Sequence, residues 1–340
     1  MSFKSSLGVF TVVLFGVLAA GIAQAQDGLA NLSGKVEIDG SSTVAPISMA
    51  VADSFTKKCP KVSVPVLISG TGGGFKRFVI GEIDVSDASR PIKKTERDSA
   101  TEHGVKFLEL PIAYDGLTVV VHKDNNWCKQ LTIDQIKKIF RADMAAKHWK
   151  DVDPSWPDRE IKIFAPGTDS GTFDFFKEVV AADGAIRDDI SVSEDDNQLV
   201  MGVAKTTDAI GFFGVAYYME NKDKLNAVQI VNPATGKPVS PTSATIESGE
   251  YAPLSRPLFI YVNAKSVRRP EVKVFVEHYL NNAAELSKAV GYVALPPEAY
   301  VRAKEVLRSR KTGTSYLDAE GKAKHGAILD IYTSENIADK

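Results

Sequence analysis

The sequence predicts an α/β fold in two halves, on the strength of three observations. Short apolar strands alternate with helices from residue 36 onward, the pattern of βαβ units with a largely parallel sheet. A strand–polar turn–helix unit occurs twice, around residues 63–80 and again around 161–182. Two apolar extended runs, 107–121 and 257–262, stand where the chain would leave one half and return to it. At 340 residues the chain is long enough for two sizeable cores.

Residues 1–25 belong to a different regime. Lys4 precedes an apolar run from Val9 to Leu18, and Ala23-Gln-Ala25 supplies small residues at a cleavage point. That is a secretory signal peptide, too short in its apolar part to span a membrane. Cleavage is expected after Ala25, leaving an exported, periplasmic chain. Removal takes one lysine from 41 basic side chains and none from the 43 acidic ones, so the mature net charge is near −3. Such a charge excludes the basic footprint of a nucleic-acid binder. It also requires any bound anion to be held by local geometry, because the overall field repels it. Cys59 and Cys128 fall in different halves and are expected as free, partly buried thiols, although export permits a disulfide.

The first strand, 36–40, leads into Ser41-Ser-Thr-Val-Ala-Pro46, hydroxyl caps followed by a first-turn proline, and a helix that Pro60 ends. A strand over 62–68 then breaks into Ser69-Gly-Thr-Gly-Gly-Gly74, with a helix expected over 74–80. A strand over 83–85 precedes the turn that carries Ser89 and Arg90. The run 107–121 crosses to the second half and is followed by a helix over 133–140. Strand 161–164 feeds Pro166-Gly-Thr-Asp-Ser-Gly-Thr172 and a helix over 173–182. A helix capped within 193–197, a buried strand 209–214 and a surface hairpin over 232–248 complete the second half. Strand 257–262 returns the chain, followed by helices over 271–282, 284–290 and 298–308. The charged segment 304–324 reads as solvated surface.

Three helix starts share one chemistry: Ser42 and Thr43; Thr71 with Gly72; and Ser170, Gly171 and Thr172. A helix start presents unpaired amides and partial positive charge, a ready anion site worth roughly 0.3–1 kcal/mol per dipole. Each hydroxyl adds a donor, and a hydrogen bond to a charged group contributes roughly 1.5–3 kcal/mol. Taken singly, each start is explained by capping; together in one cleft they make an oxyanion site. Arg90 adds a planar fork that matches two oxygens, unless it is a surface arginine paired with Asp87 or Glu96. Nucleotide patterns fail, since Gly74 is followed by Phe75-Lys-Arg77 and not by Lys-Ser/Thr. The five histidines lack metal spacing, and Ser170 lacks a nucleophile elbow. No catalytic residue, metal or cofactor is expected.

Asp39-Gly-Ser-Ser-Thr-Val-Ala-Pro46, Ser69-Gly-Thr-Gly-Gly-Gly-Phe-Lys-Arg-Phe78 and Ser86-Asp-Ala-Ser-Arg-Pro-Ile92 together resemble the periplasmic phosphate-binding proteins (PstS type) of phosphate ABC importers. Pro166-Gly-Thr-Asp-Ser-Gly-Thr172, Ile210-Gly-Phe-Phe-Gly214 and Ser255-Arg-Pro-Leu-Phe-Ile-Tyr-Val262 continue the likeness in order, most like the cyanobacterial-type branch. The resemblance implies a two-lobed periplasmic binding protein (type II-like) with a hinge and a central ligand cleft. Lobe one would be 26–115 with 256–340, and lobe two 116–255. It implies a monomer that takes inorganic phosphate to membrane permease subunits, with no covalent chemistry. The ligand set implied is Ser42, Thr43, Thr71, Gly72, Ser170, Gly171 and Thr172, with Ser89 and Arg90 beside them. Two positions depart from the better-studied branch: Ser89 stands for an aspartate that accepts the phosphate proton, and Pro166 for an arginine. Arg90 is the candidate replacement for the arginine, and Asp87 or Asp115 for the acceptor. Another tetrahedral oxyanion (sulfate, arsenate or phosphite) and a secreted phosphatase are the alternatives.

Overall fold

A computed structural model of the chain describes residues 29–336, except 169, 182, 183, 194, 319, 323, 325 and 334. The expected signal peptide and its cleavage point lie outside the described residues. A nine-stranded sheet runs through both halves of the molecule. Its spine is the crossing strand Phe107–His122, fifteen of whose sixteen residues are buried. A mainly apolar run is what a strand covered on both faces requires, and the polar groups it does carry, Glu109, Asp115 and Thr118, are buried with it. Its first part pairs antiparallel with the return strand Ser255–Asn263, and its second part pairs antiparallel with Ala209–Gly214. Pro111 has no N–H to give to the ladder, and opposite it the register slips between Leu258 and Phe259.

Outward from the return strand lie Val85–Ala88, Ile38–Gly40 and Val66–Ile68, the last two pairings parallel. On the other side, Ala209–Gly214, Lys162–Ala165 and Ser191–Val192 are also parallel. The expectation of a largely parallel sheet is therefore corrected to a mixed one. The chain runs out along one central strand and back along the other, so the centre is antiparallel while each half keeps its parallel wing.

Four further expectations change. The glycine-rich helix spans Gly70–Phe78, so the glycines form its first turn and do not precede it. The 62–68 strand is two short strands, Lys61–Ser63 and Val66–Ile68. Helices 271–282 and 284–290 are one helix, Pro270–Ala289, because the intervening residues hold no glycine or proline to break it. The segment 304–324 is not all solvated surface: Thr312, Thr314, Ser315, Tyr316 and Leu317 are buried. There Thr314 Oγ1 and the Ser315 amide donate to the buried Glu109 carboxylate at 2.5 and 2.8 Å. Tyr261 O–H completes that group at 2.8 Å. Cys59 and Cys128 are free and fully buried, more deeply than expected. Among the described residues no helix is long and apolar enough to cross a membrane.

The core makes a pH prediction. Burial pushes the Asp87 carboxyl up to about 8, against the hydrogen bond from Ser48 and with help from the Asp39 charge. Burial likewise raises Glu109 to about 7, against the donors that hold it. Both groups keep in the folded state a proton that the unfolded chain releases near the ordinary carboxylate range. The unfolded state thus binds fewer protons in between, and stability falls as pH rises from about 4 toward 8. Urea unfolding is expected to lose about 5 kcal/mol between pH 5.5 and 8.5, at about 1.4 kcal/mol per pH unit for each group still protonated. Asp87→Asn should flatten the upper part of that slope; a flat or rising profile in the unaltered protein contradicts the assignment.

Candidate functional site

The first corner is the turn between Ile38–Gly40 and the helix Ala45–Thr56. Gly40 has φ +142°, and a Cβ there would stand 2.2 Å from the Asp87 carbonyl oxygen. Only glycine lets the two strands approach this closely. The Ser41 amide then donates to Asp87 O at 2.9 Å, and the Ser41 carbonyl accepts the amides of Val44 and Ala45. Ser41 Oγ takes the Thr43 amide at 3.2 Å. Ser41 therefore serves the turn, and it lines a cavity of about 480 Å³ together with Ser42 and Thr43.

The second corner is the start of the Gly70–Phe78 helix. A Cβ on Gly74 would meet Gly40 Cα at 2.6 Å, so this glycine packs the helix onto the strand. A Cβ on Gly72 would meet nothing within 4 Å beyond its own helix backbone, and Gly70, Thr71 and Gly72 all line the same cavity. The Ser69 side chain makes no capping hydrogen bond to this helix. Thr71 Oγ1 accepts the Ser89 amide at 3.2 Å and meets Ser89 Oγ at 3.0 Å. This contact ties the glycine helix to the end of the Val85–Ala88 strand.

Arg90 also lines the cavity, but its fork is occupied. Its guanidinium nitrogens donate to Glu96 at 2.9 and 2.7 Å, and the group lies 5.3 Å from the Phe75 ring centre. Of the two readings open for Arg90, pairing with Glu96 is the one found. Asp87 points away from the cavity, toward Ser48 Oγ and so toward Tyr279, which corrects its candidacy as proton acceptor.

The opposite wall comes from the helix Gly171–Val180 and the residue after it: Asp174, Lys177, Glu178 and Ala181. These fall on one face at helical spacing. Ser170 and Thr172 are not among the described residues that line the cavity. Ser170 Oγ accepts the Thr172 amide at 3.2 Å, the plain capping arrangement. The structure thus brings Ser42, Thr43, Thr71, Gly72, Ser89 and Arg90 together, while Ser170 and Thr172 stand at the start of the opposite helix, ahead of its cavity-lining residues.

Sequence reasoning passed over Arg256. It sits on the return strand with its side chain 9% exposed, opposite Asp115 of the crossing strand. Its guanidinium reaches Thr43 Oγ1 at 3.3 Å, Glu178 at 3.3 Å and Asp115 at 3.5 Å, and lies 3.9 Å from the Phe175 ring centre. Burial lowers its affinity for the proton, while Asp115 and Glu178 oppose that. The signal was present: an arginine inside an otherwise apolar run, Ser255-Arg-Pro-Leu-Phe-Ile-Tyr-Val262, has to be paired to be buried.

A family model described as the PBP superfamily domain matches residues 25–283. Protein SphX of Synechococcus elongatus is 47% identical over 304 residues, 89% of each chain. The phosphate-binding protein PstS of Staphylococcus haemolyticus is 42% identical over 273 residues, 79% of this chain and 84% of that one. The chain belongs to the PBP superfamily. A crystal structure of "a possible phosphate binding protein" from Planctomyces limnophilus superposes with a TM-score of 0.78 at 43% identity, covering 82% of this chain and 99% of that one. The PBP superfamily match takes in both central strands and every cavity-lining residue. The buried 312–317 segment lies beyond it.

Proposed function

We propose that this protein is a periplasmic substrate-binding protein that captures inorganic phosphate and delivers it to the permease subunits of an ABC importer. One observation carries the reading: Ser42, Thr43, Thr71 and Ser89, from separate elements, share one cavity with a helix from the other half and with Arg256 behind Thr43. Hydroxyls, helix-start amides and a buried guanidinium are the donors a small oxyanion needs. The name of the PstS relative, a phosphate-binding protein, agrees with it. At about 480 Å³ the cavity holds more than ten water volumes of about 30 Å³ each. An anion of five heavy atoms leaves most of it empty, so binding draws the two walls together in a hinge closure.

The lobes of this reading are 26–115 with 256–340, and 116–255. Their limits fall at Asp115 and Arg256, paired across the two central strands. Ser170, Gly171 and Thr172 would reach the ligand through that closure. The protein acts as a monomer and performs no covalent chemistry.

Thermal melting with phosphate, sulfate, arsenate and phosphite tests the function. A ligand at a hundred times its dissociation constant stabilises the native form by about 2.7 kcal/mol, a rise of several degrees. Phosphate is expected to give the largest rise. Because Ser89 carries no charge to repel a fully deprotonated anion, a larger rise with sulfate would reassign the ligand. No rise with any of the four contradicts the receptor reading.

A further inference from the structure

We propose that Arg256 is the cation that holds the bound anion, and that Glu178 is its built-in counter-ion, displaced when the anion arrives. The proposal rests on the oxyanion-receptor reading above and names the electrostatics of the same cleft.

Four residues on three elements, from both halves, converge on this one guanidinium. Asp115 faces it across the central strands, Thr43 meets it from the first corner, and Phe175 and Glu178 meet it from the opposite helix. Thr43 and Glu178 both line the cavity, so Arg256 is the layer behind them. The other cavity cations are less suited to the role. Arg90 is committed to Glu96 on two nitrogens, and Lys93 and Lys177 are exposed, where water screens them.

A buried arginine has to be neutralised whether or not ligand is present. Asp115 and Glu178 are placed to do this, but they differ in freedom. The Asp115 side chain is 4% exposed on a central strand, whereas that of Glu178 is 59% exposed on a helix at the cavity wall. An oxyanion seated on Ser42 and Thr43 comes within reach of the guanidinium that Glu178 also holds. Two carboxylates and an anion around one guanidinium repel one another, and the exposed carboxylate is the one that can turn into solvent. Binding is then an ion exchange: an intramolecular pair linking the halves gives way to a ligand linking them. Affinity is set below what the donors alone would reach, because each anion competes with Glu178.

Calorimetric titration of phosphate and sulfate into the unaltered protein, Glu178→Gln and Arg256→Gln at low salt tests this. Glu178→Gln is expected to bind phosphate roughly tenfold more tightly, and Arg256→Gln at least about thirtyfold more weakly. Equal or weaker phosphate binding by Glu178→Gln overturns the counter-ion, and binding by Arg256→Gln within about threefold of the unaltered protein overturns the cation. Should Arg256→Gln fail to fold, Glu178→Gln decides alone, since its side chain is more than half exposed. Absence of binding by the unaltered protein with either anion overturns the receptor reading itself. That outcome is distinct from unaltered binding that Glu178→Gln fails to improve.

Discussion

Gly40→Ala is expected to lower the free energy of unfolding by about 3–5 kcal/mol, more than any other single-methyl change near the cleft. Two costs combine. The backbone at Gly40 has φ +142°, a region closed to residues with a Cβ. The added methyl would also stand 2.2 Å from the Asp87 carbonyl oxygen, which is backbone and cannot swing aside. Relief requires the Ile38–Gly40 and Val85–Ala88 strands to part, which breaks the bond from the Ser41 amide to Asp87 O. Ser42 and Thr43 would move with that turn, so anion binding should weaken as well. Urea unfolding and phosphate titration of the variant check both effects. A stability loss below about 1 kcal/mol would show that the strands are not held this closely.

Glu109→Ala is the second large effect, an expected loss of about 3–5 kcal/mol at neutral pH. The carboxylate is buried on the crossing strand and accepts from Tyr261, Thr314 and the Ser315 amide. Removing it leaves three buried donors without their acceptor, at about 1–3 kcal/mol each, offset in part by release of a carboxyl that burial already disfavours. The loss also frees the 312–317 segment from the crossing strand. Increased proteolytic cleavage near Thr314, together with the stability loss, is the expected signature. An unchanged cleavage pattern would mean that other contacts of Tyr316 and Leu317 hold the segment.

The elements legible in the sequence were those whose pattern is local. Residues 107–121 were readable as a crossing strand because a long, mainly apolar extended run has one simple explanation, and Phe107–His122 is the strand found. The helix Ile133–Phe140 is found where it was expected, and at its start Thr132 and Gln135 cap each other reciprocally, a local signal that sequence reasoning did not use. The Gly70–Phe78 helix was misplaced by four residues because glycine disfavours helix on its own account. Its first turn is secured by packing of Gly74 on Gly40, a contact between residues 34 apart that propensity cannot register.

The site divided in the same way. Ser42, Thr43 and Thr71 were found because hydroxyls at helix starts form a recognisable local motif, and Ser89 because it stands beside Arg90 on a turn that follows a strand. Arg90 and Arg256 are indistinguishable by such motifs, and what separates them is tertiary. Arg90 meets Glu96 across a single turn, whereas Arg256 meets Thr43, Asp115 and Glu178 from distant parts of the chain. The buried 312–317 segment was missed for the same reason: its polar residues are matched by one carboxylate two hundred positions earlier.

The central claim is that hydroxyl-bearing corners around one cavity hold a phosphate ion. Titration calorimetry with inorganic phosphate, on the unaltered chain and on a Thr43→Val/Thr71→Val pair, tests it most directly. The account predicts saturable one-to-one binding at micromolar affinity or tighter, about −8 kcal/mol, and at least a thirtyfold loss in the double variant. Saturable binding that the double variant leaves unchanged, or no saturable binding by the unaltered chain, would contradict it.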